Sequence, residues 1–475
     1  MVQRKAAWTG DRAFWAVFAG VLLLNLSTRS LFYNFDGVAC AIAVELSDFK
    51  HLVHGNHLGY GVVAWAFDKL WRLFGYQGQA ILTLQALDSI LGAFGAAFFA
   101  DLLRRQGRGE REAVLGAAAL AVAHAWWFWS LEAQVYMLGA LFIVLGAREA
   151  LSDHPKPFWL GLWHALAVLG HVGHLMAFPA FAYLLLRKKG IREYALTMAS
   201  VVAAAYVMAG VFAVKPANLQ ELRLWLLGSA ALGVDRGFNW HSTPLGYSLW
   251  AWSRMTFRIF TEFVGRTGVA WSLGVVLAAV PVLAALRGAA EKTRESLFWL
   301  IWLAGYALLF IAWEPYTIVY RVTDLIALVA LATMGLQGFS AKARTALLAA
   351  WVLAAGAYNY ATVVLPSSRF ENNPDLVEAE WTKISTPPDG WVLVNGRGGV
   401  YVPYFAGRRT VNLRYFDAPG SLETRLDLIA ATGDALFVTG RTLEQEGLLA
   451  RLRTYGLKPH TAAPALETFR VARAK

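Results

Sequence analysis

Along the first 365 residues, apolar runs near 13–31, 79–103, 113–131, 133–150, 195–214, 268–286, 296–313, 318–338 and 345–364 alternate with short polar segments. Each run is of the order of 20 residues, the length that crosses about 30 Å of hydrocarbon as a helix. The stretch 158–186, "FWLGLWHALAVLGHVGHLMAFPAFAYLLL", is too long for one comfortable span, and its Gly170 to His174 portion predicts a break between two short helices. The pattern therefore predicts an α-helical polytopic membrane protein with about eleven membrane segments. From Pro366 to Lys475 the pattern changes. "GWVLVNG", "VYVPYFAG", "TVNLRY" and "ALFVTG" predict short strands, and 374–385, 421–431 and 442–455 predict helices, which makes the tail a small α/β domain. The Gly-rich "NGRGGV" reads as a plain turn, since it matches no nucleotide-binding fingerprint.

Two longer segments between spans, 32–78 and 215–267, have interfacial character. In the first, Val38, Ile42, Leu46, Phe49 and Val53 recur at helical spacing opposite Glu45, Asp48 and His51. After "HGNHLGYG", the residues Val63, Phe67, Leu70, Trp71 and Phe74 mark a second amphipathic helix opposite Asp68, Lys69 and Arg72. The second segment is rich in Trp and Arg, as expected at the headgroup level.

Composition supports this class: 57% hydrophobic and 16% charged residues, with mean hydropathy +0.45, lie outside the range of soluble domains. The net charge of +11 would suggest nucleic acid in a soluble protein. Here the basic residues cluster in short loops instead: the N-terminus with Arg4, Lys5 and Arg12, then 104–112, 148–157, 187–194, 287–295 and 340–344. Under the positive-inside rule these loops are cytoplasmic, which places the N-terminus inside and the tail outside. The first apolar run lacks a small-x-small cleavage site and reads as a retained anchor. A single cysteine, Cys40, excludes an internal disulfide and a thiolate zinc site, and no spacing specifies a metal. Short loops and an Ala-, Gly- and Arg-rich composition point to a bacterial inner membrane.

The polar groups gather in a few places: Asp36, His54, His57 and Tyr60 in 32–61; Glu132 in "WSLEAQVYML"; His171 and His174 in "GHVGHLMAFPA"; Glu314, Tyr320 and Arg321 in "WEPYTIVYR". In this order and spacing they resemble the GT-C glycosyltransferases, in particular the protein O-mannosyltransferase-like families. Their first outer loop carries an Asp followed by a His-Pro-Pro-Gly-Tyr motif, which stands here as "NHLGY" with both prolines missing. The match covers most of residues 13 to 340. It divides the chain into a transmembrane catalytic domain, 1–365, and an extracytoplasmic domain, 366–475.

The resemblance implies an enzyme that takes a sugar from a polyprenyl-phosphate donor and passes it to an acceptor hydroxyl on protein, lipid or glycan, without a cofactor; its metal requirement stays open. Such a reaction needs a base for the incoming hydroxyl and positive charge for the departing phosphate. Asp36 is the candidate base, with Glu132 sharing that role or orienting the acceptor. Arg321 is the candidate phosphate partner, and His54, His57, Tyr60, His171, His174, Glu314 and Tyr320 are candidate substrate contacts. Each also has a structural reading. Asp36 precedes a helix and can serve as its N-cap, Glu132 can complement a helix dipole, Arg321 can snorkel, and Asp88 within a span can pair with another helix. A transporter and a polysaccharide polymerase or ligase are the alternatives. A transporter is expected to show repeated halves and charges near the midplane, and the chain has neither.

Overall fold

A computed structural model describes residues 12–186, 190–227, 244–416, 420–444, 447–452, 455–463 and 466–473. Arg4, Lys5, Arg187, Lys188 and Lys189 of the basic segments, and 228–243 of the second long loop, lie outside the described residues. The chain divides into two compact units. One runs to Ser30 and resumes over Ala43–Pro366; the other joins Leu31–Ile42 to Ser367–Lys475. The segment bearing Asp36, expected within the membrane domain, thus belongs with the C-terminal unit.

The first unit is helical and is that of an integral membrane protein. Among the described residues, five helices are long and apolar enough to cross a membrane: Ala80–Arg105, Ile191–Val214, Gly268–Ala290, Arg294–Ala312 and Ala341–Ser367. The helices Glu110–Val122 and His124–Ser130 form a further candidate span bent by 68°. Polar bonds hold that bend: Asn359 donates to the carbonyls of Val122 and Phe260, and the His124 N–H donates to Phe260 O. The expected run 318–338 yields only Val322–Gly335, every residue of which is buried. A helix apolar on all sides can sit wholly inside a bundle. Helix Ile191–Val214 is its opposite, with only 6% of its apolar window buried, which leaves its sides to lipid. The stretch after Lys156 is broken as expected: helix Pro157–Gly170 stops at His171, and a tight turn at Val172–Ala177 leads into helix Phe178–Leu185.

The first loop departs from its predicted form. In place of one amphipathic helix through Val53, helix Phe35–Leu46 ends and a single turn, Phe49–Leu52, begins. Ser47 between them takes a positive φ of 53°, and Asp48 caps the new turn by accepting from the His51 N–H. Ser and Asp offer the backbone such local alternatives to continued helix. Helix Leu58–Leu73 forms, and its stripe of Val63, Leu70 and Trp71 is exposed while Asp68 on the opposite face is fully buried. Asp68 accepts from Arg72 Nε (2.6 Å) and Thr83 Oγ1 (2.9 Å); the helix docks through Leu58, Tyr60, Gly61, Ala64 and Asp68 and turns the Val63, Leu70 and Trp71 stripe outward.

The second unit holds a five-stranded sheet, β1 (Trp391–Val394), β2 (Arg409–Asn412), β3 (Leu436–Thr439), β4 (Tyr455–Ala463) and β5 (Leu466–Arg473), in the order β2-β1-β3-β5-β4. β1 pairs in parallel with β2 and β3, and β5 runs antiparallel to both β3 and β4. "VYVPYFAG", expected as a strand, is helical over Gly398–Ala406. Tyr401, Val402, Phe405 and Ala406 are buried at positions two, three, six and seven of "VYVPYFAG", a helical rather than an alternating period. The expected helix 442–455 is reduced to the turns Gly440–Leu443 and Leu448–Arg451, and β4 and β5 go unpredicted.

Candidate active site

In the membrane unit, residues from four separate motifs converge. The "HGNHLGY" turn packs where Pro157–Gly170 breaks, with Asn56 O accepting from the Val172 N–H at 2.8 Å. Its glycines permit the approach: a Cβ on Gly55 would lie 1.9 Å from Trp225 O, and one on Gly59 3.2 Å from Leu169 O. Within the turn, the rings of His54 and His57 stack at 4.3 Å with 13° between planes. Burial lowers the pKa of His54, and burial together with the neighbouring His54 and His171 takes that of His57 well below the ordinary range. Near neutral pH both are therefore uncharged rings; His54 already accepts the Asn56 N–H on Nδ1 at 3.2 Å, which leaves its Nε2 to donate.

His171 accepts the Gly173 N–H on Nδ1 at 3.1 Å, which leaves Nε2 to carry the proton of a neutral ring. It faces Tyr136 (5.3 Å), Tyr320 (5.7 Å) and Trp313 (6.4 Å between ring centroids). Tyr320 in turn stacks on Trp313 at 4.9 Å and on Phe310 at 6.0 Å. Tyr136, His171, Phe310 and Tyr320, with His174, line a cavity of about 20 Å³. That is room for a water molecule and not for a sugar ring. His174 is buried, with Nδ1 2.9 Å from the Tyr306 hydroxyl, and its carbonyl lies 2.8 Å from His164 Nε2. It braces the break from the wall of that cavity.

Three of the expected roles need correction. Tyr60 is fully buried and donates to Asp88 Oδ2 at 2.8 Å, and the same oxygen accepts the Gln134 N–H at 2.6 Å. Asp88 thus ties the first loop to the turn that carries Glu132, the pairing role anticipated for a carboxylate within a span. Glu132 is itself fully buried, within electrostatic reach of Asp88, which removes it from direct contact with a soluble acceptor. Arg321 is fully buried and each of its three nitrogens is engaged: Nε pairs with Asp324, Nη1 donates to Trp252 O (3.0 Å), Nη2 donates to Thr256 Oγ1 (2.8 Å), and the guanidinium lies over the Trp252 ring. It is a clasp between helix Leu245–Arg258 and the start of Val322–Gly335. Glu314 accepts from Thr317 Oγ1 at 2.6 Å within its own loop.

Asp36 lies in the other unit. The segment before it is fastened there by the Asn373 amide, which donates to the carbonyls of Leu31 (3.0 Å) and Phe32 (2.6 Å), and by the Tyr401 hydroxyl on Tyr33 O. The first turn of helix Phe35–Leu46 is capped by Asn34, whose Oδ1 accepts the Asp36 N–H at 3.2 Å. Asp36 is therefore released from capping, and its exposed carboxylate accepts no hydrogen bond among the described residues. The surrounding protein raises its pKa by desolvation, and Arg397 beside it offsets part of the rise. Arg397 was missed by the sequence reading, because it sits in the "NGRGGV" turn. Its side chain is 56% exposed and meets Asp375 only at 3.9 Å.

Among the described residues, no three His, Cys, Asp or Glu side chains converge as metal ligands. No protein-family model matches the chain, and no curated protein matches it in sequence. Solved structures do. The crystal structure of ArnT from Cupriavidus metallidurans bound to undecaprenyl phosphate aligns over 96% of this chain and 97% of its own, with TM-score 0.65 and 13% identity. The apo structure of the same protein aligns over the same shares, with TM-score 0.68 and 12% identity. The chain shares the fold of that protein, and at this level of identity the likeness is one of fold.

Proposed function

We propose that the protein is a membrane glycosyltransferase that moves a sugar from a polyprenyl-phosphate carrier to an acceptor hydroxyl, with Asp36 as general base. The observation that carries this reading is the state of Asp36. In a fold shared with a protein whose structure holds undecaprenyl phosphate, it is an exposed carboxylate free of capping duty, without a hydrogen bond among the described residues, and more basic than usual. Asp36 takes the hydroxyl proton as the acceptor oxygen bonds to the anomeric carbon, and the carbon–oxygen bond to the carrier breaks, releasing polyprenyl phosphate. Arg397 keeps the base ionised despite its desolvation. The neutral His54 and His57 serve as hydrogen-bonding groups for phosphate or acceptor, and His171, Tyr136 and Tyr320 form an aromatic wall. Glu132 acts from behind the surface, through the turn it shares with Gln134. Charge bias places this chemistry at the outer leaflet of a bacterial inner membrane, with the N-terminus inside and 366–475 outside.

The test is transfer of labelled sugar from several polyprenyl-phosphate donors to a mixed acceptor extract, using purified protein in lipid. The reading expects label in an acceptor fraction. Immobile label with every donor, together with protein-dependent solute flux across sealed vesicles, would replace the enzyme by a transporter.

A further inference from the structure

A second cavity lies in the membrane unit among helices Glu110–Val122, Gly268–Ala290, Val322–Gly335 and Ala341–Asn359. Two of those helices meet backbone to backbone near their ends: a Cβ on Gly288 would lie 2.0 Å from Leu331 O, and one on Gly335 2.0 Å from Ala284 O. Beside that contact the small side chains of Ala119, Ala284 and Ala332 leave about 100 Å³ unfilled. The surface of this space is hydrocarbon. The polar side chains in its lining, Thr333 and Trp351, are spent within the protein, since Thr333 donates to Ala330 O at 2.7 Å and Trp351 Nε1 to Leu277 O at 2.8 Å. A water molecule needs two or more polar partners, and a cavity without them stays dry or takes an apolar guest.

The guest enters from the side. Val280 and Leu347 belong to the lining and are 48% and 47% exposed, on helices that are both candidate spans, so the cavity opens toward lipid chains. One end of that opening is cationic. Arg287 follows Ala284 by less than one turn, its guanidinium lies over the Phe339 ring at 5.0 Å, and Lys342 stands three residues beyond that ring. Both cations are exposed, and among the described residues neither has a hydrogen-bond or ion-pair partner, even in Glu291 one turn beyond Arg287. An arginine held by an aromatic face keeps the edge of its planar fork for a phosphate. We infer that the cavity holds one acyl chain of an anionic phospholipid of the cytoplasmic leaflet, such as phosphatidylglycerol. Its phosphate lies between Arg287 and Lys342, and its chain passes Val280 and Leu347. Charge bias puts both cations on the cytoplasmic side, across the membrane from the proposed transfer, and the inference is independent of that reaction.

Phosphatidylcholine with the same acyl chains isolates the charge, since it offers the same hydrocarbon and phosphate without the net charge. Native mass spectrometry of the full-length protein, equilibrated with equal amounts of the two lipids, is expected to show phosphatidylglycerol as the last lipid lost on activation, favoured over phosphatidylcholine by roughly fivefold for each of the two cations. Arg287→Gln combined with Lys342→Gln is expected to abolish that preference. Ala332→Leu, which fills the cavity and leaves the cations in place, is expected to lower retention of both lipids several-fold without lowering the melting temperature. Equal retention of the two lipids by the wild type overturns the inference, and so does unchanged retention by a folded Ala332→Leu protein. If Ala332→Leu does not fold, an undiminished preference in the charge variant overturns it. Displacement of phosphatidylglycerol by an equal amount of polyprenyl phosphate also overturns it and gives the site to the carrier.

Discussion

Two arginine–aspartate encounters in this chain show opposite uses of the same side chains. Arg321 and Asp324 are both fully buried, and the guanidinium is spent on Asp324, Trp252 and Thr256. Arg397 is more than half exposed and holds Asp375 only at 3.9 Å, and its charge reaches an Asp36 whose carboxylate accepts no hydrogen bond among the described residues. A buried charge must find its partners inside the protein, and once found they leave nothing over for a substrate. A charge at an opening can keep its capacity. By this contrast the first pair serves the architecture and the second is the one proposed for the chemistry, although the arginine in the "IVYR" motif suggested the reverse.

The largest effect expected from breaking the contrast is on catalysis. Asp36→Asn should cost transfer roughly 10²- to 10⁴-fold, the usual worth of a general base, while thermal unfolding stays close to that of the wild type. On the structural side, Arg321→Ala should destabilise the membrane unit by about 3–5 kcal/mol, because Asp324 is left as an uncompensated buried charge. Replacing both, as Arg321→Met with Asp324→Leu, should recover most of that loss in the same unfolding assay. Wild-type stability in Arg321→Ala would return that arginine to the list of free cations. Gly55→Ala, whose Cβ would collide with Trp225 O, should cost about 1–3 kcal/mol and detach the first loop, read as faster proteolysis near His54.

The smallest effects concern pH. Asp36 must be ionised to accept a proton, so transfer should rise with pH through a value above the ordinary carboxylate range. Arg397 lowers the Asp36 pKa; Arg397→Gln should therefore move that limb further up in pH, with the plateau rate little changed. His54 and His57 stay neutral because burial lowers their pKa values. The rate profile should then show no step near pH 6.5, and His57→Gln should leave its shape unaltered.

The apolar runs made the membrane class legible, and the glycine and histidines near 170–174 marked the break at His171. Four motifs far apart in sequence could be named because each joins unusual polar residues to an apolar flank. What stayed hidden was pairing. The i, i+3 spacing of Arg321 and Asp324 was available as a signal that the arginine would be satisfied locally. Asn34, two residues before Asp36, was likewise a competing cap. The outward turn of the Leu58–Leu73 stripe was not visible, because periodicity identifies a face without saying whether protein or lipid covers it. Arg397 was lost to a glycine-rich turn that looked featureless, and "VYVPYFAG" misled because aromatic and β-branched residues favour strands on average while its buried positions recur at helical spacing.

The most direct test of the central claim is single-turnover transfer by Asp36→Asn protein, saturated with a polyprenyl-phosphate sugar that the wild type uses and checked for donor binding and an unchanged melting temperature. The account predicts that the donor binds as in the wild type and that the sugar stays on its carrier. Transfer at the wild-type rate by a folded, donor-bound variant would contradict it and would place the base elsewhere in the molecule.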